Sequence, residues 1–307
     1  SSGQVWGVQR TVATILFTLA AISLIGLGGV YASKSRKPAA EQAKAAPEPG
    51  QRVRPVAHTK GATPPTPATP DPKTPAPVGA DRPLSPEEAY QRLLRSTVFI
   101  FNLDTTARGE VTSWSCGSGS LIHKGRRLVV TNYHVVEERN RVRIFFPAYT
   151  PGGALITEPS HYLKNEDSLR IWGQVVTRDA KLDLAVVELE KLPGDVDSLP
   201  LAREPAKPGA SLVSVGASGV NLRNMTGALW RLSMGNARGR FKDTINFKSG
   251  QRVEAMFLET QKPINPGDSG GPTMNDRGEL VGVVSASDPR ADLVKLDIDI
   301  EEVRGLL

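Results

Sequence analysis

From Thr97 to the C-terminus the chain repeats one figure. Short apolar or alternating runs of four to nine residues are closed off by Gly, Pro, Asn, Asp or Ser. That pattern predicts antiparallel strands rather than helices, because a half-buried strand shows period two and ends where the backbone must turn. A first strand is expected at 97–101, followed by a set of six near 117–123, 127–132, 141–147, 169–177, 183–190 and 211–215. A second set is expected near 226–235, 240–247, 253–259, 271–275, 279–286 and 293–298. The two sets predict an all-β domain over 85–307 made of two six-stranded antiparallel β-barrels. A short helix should lead into it. Ser85 can cap, Pro86 suits the first helical position and Glu88 can bond back to the cap, which carries the helix through about Leu94. Residues 300–307 suit a closing helix. The segment 148–167, rich in Gly, Pro and polar residues, is expected to be a long loop inserted between strands.

The N-terminal quarter has a different pattern. After a flank of residues 1–10, residues 11–31 carry no charge. At about 1.5 Å per residue such a run is long enough for a bilayer core of about 30 Å, so a transmembrane helix contacting membrane lipid is expected there. A cleaved signal peptide is the rival reading, because Val30-Tyr31-Ala32 resembles a small-residue cleavage site. Residues 32–84 hold half of the chain's 24 prolines together with repeated Ala, Thr and Lys. That composition cannot bury enough apolar surface to fold, and predicts an extended, disordered spacer. The chain starts at Ser1 rather than Met, as expected for a mature form or a fragment.

The formal charge of +6 over 307 residues invites a nucleic-acid partner, but its distribution argues against one. Residues 85–307 carry 28 basic and 28 acidic side chains, and the excess lies in 33–84, with nine basic against four acidic. The single cysteine, Cys116, excludes an internal disulfide and is expected to be a small structural residue. No Cys/His cluster has metal-ligand spacing, and neither a metal nor another cofactor is expected.

The candidate chemistry lies in Asn265-Pro266-Gly267-Asp268-Ser269-Gly270-Gly271-Pro272. Small residues on both sides of Ser269 allow a tight turn, which could point the amides of Gly267 and Ser269 at one spot where an oxyanion would form. A serine hydroxyl needs a base, and the base an orienting group. His134 ends the apolar run Leu128–Thr131 and its continuation. Asp183 opens the strand Leu184-Ala185-Val186-Val187-Glu188-Leu189. Asp179, four residues earlier, competes with Asp183 but does not lead directly into a strand. His58, His123 and His161 fall in linker, turn and insertion and are expected at the surface.

Three blocks, Thr131-Asn132-Tyr133-His134-Val135-Val136, Asp183-Leu184-Ala185-Val186-Val187 and Asn265 to Pro272, resemble the signature blocks of trypsin-like serine proteases in the chymotrypsin order His, Asp, Ser. The HtrA/Deg branch is most similar. The resemblance covers roughly residues 85–307 and implies the chymotrypsin/trypsin-like fold, with His134 and Asp183 on the first barrel and Ser269 on the second. It implies peptide-bond hydrolysis on protein or peptide substrates, with Ser269 as nucleophile, His134 as base and Asp183 as orienter. By the same analogy Pro263, six residues before the nucleophile, helps floor the substrate pocket; being uncharged, it suggests small or medium apolar residues before the scissile bond. The family also suggests a protease domain outside the cytoplasm, on the periplasmic side, and a possible homo-oligomer. The basic residues Lys34, Arg36 and Lys37 after the apolar run would by themselves favour the opposite orientation.

Two departures stand out. HtrA proteins usually carry Asn where this chain has Asp268. Without an Ile-Val-Gly-Gly start to supply a new N-terminus, Asp268 should be solvated or paired with an internal cation. HtrA proteins also usually continue into a PDZ domain, which is not expected here. The reading from a different class is a catalytically silent barrel used for binding or sensing, its oxyanion turn collapsed.

Overall fold

A computed structural model describes residues 82–108, 111–221, 226–247, 249–287 and 294–307. The predicted flank, the transmembrane run at 11–31 and the linker as far as residue 81 lie outside the described residues. Among the described residues no helix is long and apolar enough to cross a membrane. The described residues start slightly before the expected boundary at 85. Leu84 donates its N–H to the carbonyl of Asp276 at 2.7 Å and packs on the core.

The first helix, α1 (Pro86–Leu94), forms as its cap predicts. Glu88 N–H donates to Ser85 Oγ at 3.3 Å, and Ser85 N–H donates to the Glu88 carboxylate at 2.8 Å. Ala89, Leu93 and Leu94 share its buried face, as four-residue spacing on a helix allows. Strands β1 (Thr97–Thr105), β2 (Val111–His123), β3 (Leu128–Thr131), β4 (Arg141–Phe145), β5 (Ile171–Asp179) and β6 (Leu184–Leu189) close into an antiparallel barrel in the order β1-β2-β3-β6-β5-β4. Strands β7 (Ser211–Gly216), β8 (Arg231–Asn246), β9 (Arg252–Thr260), β10 (Pro272–Asn275), β11 (Leu280–Ser287) and β12 (Lys295–Asp299) close a second, in the order β10-β11-β12-β9-β8-β7. The closing helix, α2 (Ile300–Leu306), is capped by Asp299, whose Oδ1 accepts from Glu301 N–H at 3.0 Å.

The period of two sorts the side chains. On β1, Val98 and Ile100 enter one apolar cluster together with Val129, Ala185, Val187 and Leu189. Phe99 and Phe101 point the other way, into a cluster shared with Val130, Val186, Val213 and Val215. Strands β3 and β6 are therefore apolar on both faces. The second cluster runs from first-barrel strands to β7 and so holds the two barrels together.

Three expectations need correction. The strand at 211–215 belongs to the second barrel rather than to the first set. The strands expected at 226–235 and 240–247 are one strand, β8. Its first half pairs with β7, from Arg231 opposite Gly216 to Asn236 opposite Ser211, and its second half with β9. The changeover falls at a register shift between Ala237 and Gly239, which marks the change of partner. The insertion is not a plain loop either. It folds into the short helices α3 (Pro159–Lys164) and α4 (Glu166–Leu169) around a fully buried Tyr162. The Tyr162 hydroxyl donates to Ile156 O at 2.8 Å and accepts from Ala148 N–H and Trp230 Nε1, each at 2.9 Å. One side chain thus ties the insertion to the segment entering β8, a role its polar neighbours conceal in the sequence.

Candidate active site

His134 was expected at the end of a strand. It stands one step further, on a single helical turn (Tyr133–Val136) that begins after Asn132. Asn132 is extended, at φ −84° and ψ 154°, and its Nδ2 donates to the carbonyl of Asp183 at 2.9 Å. This side chain links the His-bearing turn to the segment entering β6. Asp183 itself precedes β6 with φ 56°, a left-handed conformation that a short polar side chain tolerates better than most.

Asp183 is fully buried and reaches His134 with both oxygens. His134 Nδ1 lies 2.9 Å from Oδ2 and 3.0 Å from Oδ1, and Oδ1 also accepts the His134 backbone N–H at 3.0 Å. A carboxylate only accepts, so Nδ1 is the donor and the neutral ring keeps its lone pair on Nε2, the nitrogen a general base needs. Two second-barrel residues complete the shell. Ser285 Oγ donates to Oδ2 at 2.8 Å, and Gln251 Nε2 donates to Oδ1 at 3.3 Å and to Ala180 O at 3.0 Å. The Phe247 ring meets the imidazole edge-on, with centroids 5.6 Å apart. Asp179 does other work: its Oδ1 accepts the N–H groups of Lys181 and Leu182 at 2.7 and 3.0 Å and closes the turn before Asp183.

The turn bearing Ser269 can be followed carbonyl by carbonyl. Asn265 O accepts from Asp268 N–H at 3.0 Å, and Pro266 O from Gly219 N–H at 2.9 Å. Gly267 O accepts from Ser118 Oγ at 2.8 Å. Asp268 O accepts from Gly271 N–H at 2.9 Å, and Ser269 O from Ser118 N–H at 2.8 Å. Every backbone carbonyl from 265 to 269 is occupied. The amides of Gly267 and Ser269 have no partner among the described residues. Since a trans peptide directs C=O and N–H oppositely, the bond from Gly219 to Pro266 O also orients the Gly267 N–H away from Gly219. Gly267 has φ 98°, and a Cβ there would lie 2.2 Å from Ala217 O. Gly270 has φ 84°, and a Cβ there would lie 2.2 Å from both Ser118 O and Thr131 Oγ1. Neither position admits a side chain. Ser269 Oγ donates to Ser285 O at 3.3 Å, and no hydrogen bond joins it to His134 among the described residues.

Asp268 is not solvated, and among the described residues it is not paired with a cation. Only 6% exposed, it accepts Asn265 N–H at 2.8 Å and is hydrogen-bonded to Ser218. Burial pushes its carboxyl above the ordinary value, while these hydrogen bonds and the fields of Lys262 and Arg231 offset part of that effect. The buried Lys262 is taken by Asp297, at 2.9 Å. Cys116 is partly buried, and burial pushes its thiol up to about 11, so it is a packing residue rather than a nucleophile. Pro263 is exposed. Ser285, Gln251 and Ser118 escaped the sequence reading because each acts across the barrel junction.

A His–Asp pair on one six-stranded barrel, facing a serine turn on a second, defines the two-barrel serine-protease fold. The chain belongs to the family of trypsin-like peptidase domains, which it matches over residues 117–283. It is 28% identical over 192 residues to HhoA of Synechocystis sp., which is named as a serine protease, covering 62% of this chain and 41% of that one. It is 25% identical over 170 residues to the periplasmic serine endoprotease DegP of Salmonella typhimurium, covering 55% of this chain and 30% of that one. The chain therefore spans less than half the length of these relatives. Among solved structures, the active form of the Rv3671c protease from M. tuberculosis is similar, with a TM-score of 0.56 and 23% identity over 78% of this chain and 93% of that one. Its inactive form gives 0.52 and 22%, over 71% and 90%. These two likenesses concern the fold.

Proposed function

We propose that this chain is a membrane-anchored serine endopeptidase of the HtrA/Deg type. The observation that carries the reading is the buried Asp183 holding His134 Nδ1 at 2.9 Å, opposite a serine turn whose two free amides are Gly267 and Ser269. In this mechanism Ser269 Oγ leaves Ser285 O and gives its proton to His134 Nε2 as it attacks the scissile carbonyl. Asp183 stabilises the imidazolium that forms, and the two free amides receive the oxyanion. His134 then protonates the leaving amine, and water, deprotonated by the same ring, hydrolyses the acyl-enzyme. Pro263 offers no charge to a substrate, consistent with small or medium apolar residues before the cleaved bond. The apolar run at 11–31 would hold the domain at a membrane, on the periplasmic side, where the substrates would be unfolded or envelope proteins.

The second reading, a latent or silent module, is favoured by one observation: the Ser269 hydroxyl is hydrogen-bonded to Ser285 O rather than to His134. Labelling of the full chain with a fluorophosphonate probe separates the two. Labelling at Ser269, lost in Ser269→Ala, is the expected result. A folded protein that does not label would overturn the peptidase reading and leave the silent module.

A further inference from the structure

An active serine turn has to be held open, and among the described residues no cation pairs with Asp268 to hold it. The hydrogen bonds of the turn lead instead to one residue of the first barrel. Ser118, on β2, is fully buried. Its Oγ donates to Gly267 O at 2.8 Å and accepts the N–H of Ala217 at 3.0 Å. Its N–H donates to Ser269 O at 2.8 Å, and its carbonyl accepts Thr131 Oγ1 at 2.7 Å. All the hydrogen-bonding groups of Ser118 are thus engaged at the junction of the barrels. Two of its bonds pin the carbonyls that flank Asp268, and a third holds the start of the 217–221 segment. That segment holds the rest of the turn. Gly219 N–H pins Pro266 O at 2.9 Å, and Ser218 Oγ accepts Asn265 Nδ2 at 2.9 Å.

We propose that Ser118 is the positioning residue of the oxyanion turn, its hydroxyl clamping Gly267 O and Ala217 N–H together so that the Gly267 and Ser269 amides stay aimed at one point. The inference rests on the peptidase reading for its catalytic meaning and on geometry alone for its structural content. With the hydroxyl removed, Gly267 O and Ala217 N–H both lose their partner in a buried place, and the peptide planes at φ 98° lose the bond that opposes their rotation. Gly216 leaves room for the hydroxyl, since a Cβ added there would lie 3.1 Å from Ser118 Oγ.

The test compares Ser118→Ala with Ser120→Ala on the full chain. Ser120 is also fully buried on β2, but its hydroxyl has no hydrogen-bond partner among the described residues, so its loss reports only the packing of the strand. Two quantities are read. The first is hydrogen–deuterium exchange of the bonded amides of Asn265, Asp268, Gly270 and Gly271, which needs no activity. The second is the rate of fluorophosphonate labelling at Ser269. Ser118→Ala is expected to speed exchange across 265–271 about tenfold and to slow labelling roughly 10- to 100-fold, less than or equal to the effect of losing an oxyanion donor itself. The pH midpoint of labelling should not move. Ser120→Ala should match the parent in both. Unchanged exchange in Ser118→Ala would overturn the proposal, as would equal effects of the two substitutions, or faster exchange with labelling at the parent rate. If the parent itself does not label while Ser118→Ala still loosens the turn, the peptidase reading fails and the clamp stands.

Discussion

Lys262 and Asp297 form an ion pair with both side chains fully buried, 2.9 Å from Nζ to Oδ1. The other carboxylate oxygen accepts Thr273 Oγ1 at 2.7 Å, and that hydroxyl lies 3.4 Å from Ser214 Oγ. Replacing Lys262 by Met keeps the length and apolar bulk of the side chain and removes only the charge. Asp297 is then left with one neutral donor and no counter-ion. Breaking one partner of a buried pair costs about 3–5 kcal/mol, because the remaining charge has lost both water and partner. For a domain of this size each kcal/mol lowers Tm by about 2–4 °C, so Lys262→Met should lower it by roughly 6–20 °C. The combination Lys262→Met with Asp297→Leu removes both charges and should recover most of that loss, since a well-packed apolar pair is often as stable as the ion pair it replaces. The assay is guanidinium unfolding, followed by tryptophan fluorescence, of the parent, both single variants and the double. Its readout is the coupling energy of the cycle. A single-variant cost below about 1 kcal/mol, or additive costs in the double, would refute the claim that desolvation dominates at this pair.

Asp268 is pushed above the ordinary carboxyl value chiefly by burial, so the folded state holds its proton more tightly than the unfolded state does. Its contribution to stability is then fully present below the unfolded pKa and is lost as pH rises through the folded one. Asp268→Asn should therefore raise Tm at pH 7 to 8, with the gain vanishing in acid; a gain independent of pH would refute the assignment to burial. Gln251 is oriented by Ala180 O, which can only accept and therefore selects Nε2 as the atom facing Asp183. Gln251→Ala should slow Ser269 labelling about fivefold, the equivalent of roughly 1 kcal/mol for a long bond to a charged group. A labelling rate equal to the parent's would show that this bond contributes nothing to the site.

Local signals were enough for the strand pattern, the capped helix at Ser85 and the three blocks around His134, Asp183 and Ser269. Each depends on neighbours in the chain: alternation on a pleated strand, a cap with a partner three residues on, glycines flanking a tight turn. Asp183 could be preferred over Asp179 for the same reason, since one leads straight into an apolar strand and the other closes the turn before it. The apolar run at 11–31 is equally a local property.

What the chain pattern could not show depends on contacts between distant segments. The single strand β8 read as two because its glycines resemble turn signals, and only its two partners show that it continues. Tyr162 lay in a polar insertion, and its burial depends on Trp230, 68 residues away. The partners of Asp268, the shell that Ser285 and Gln251 make around Asp183, and the clamp made by Ser118 all span the barrel junction. A buried donor or acceptor must find a partner, but the linear sequence does not say which one. The types of residue needed for catalysis are therefore legible along the chain. The orientation of the peptides around Gly267, on which the proposed oxyanion site depends, is set by hydrogen bonds from residues up to 149 positions away.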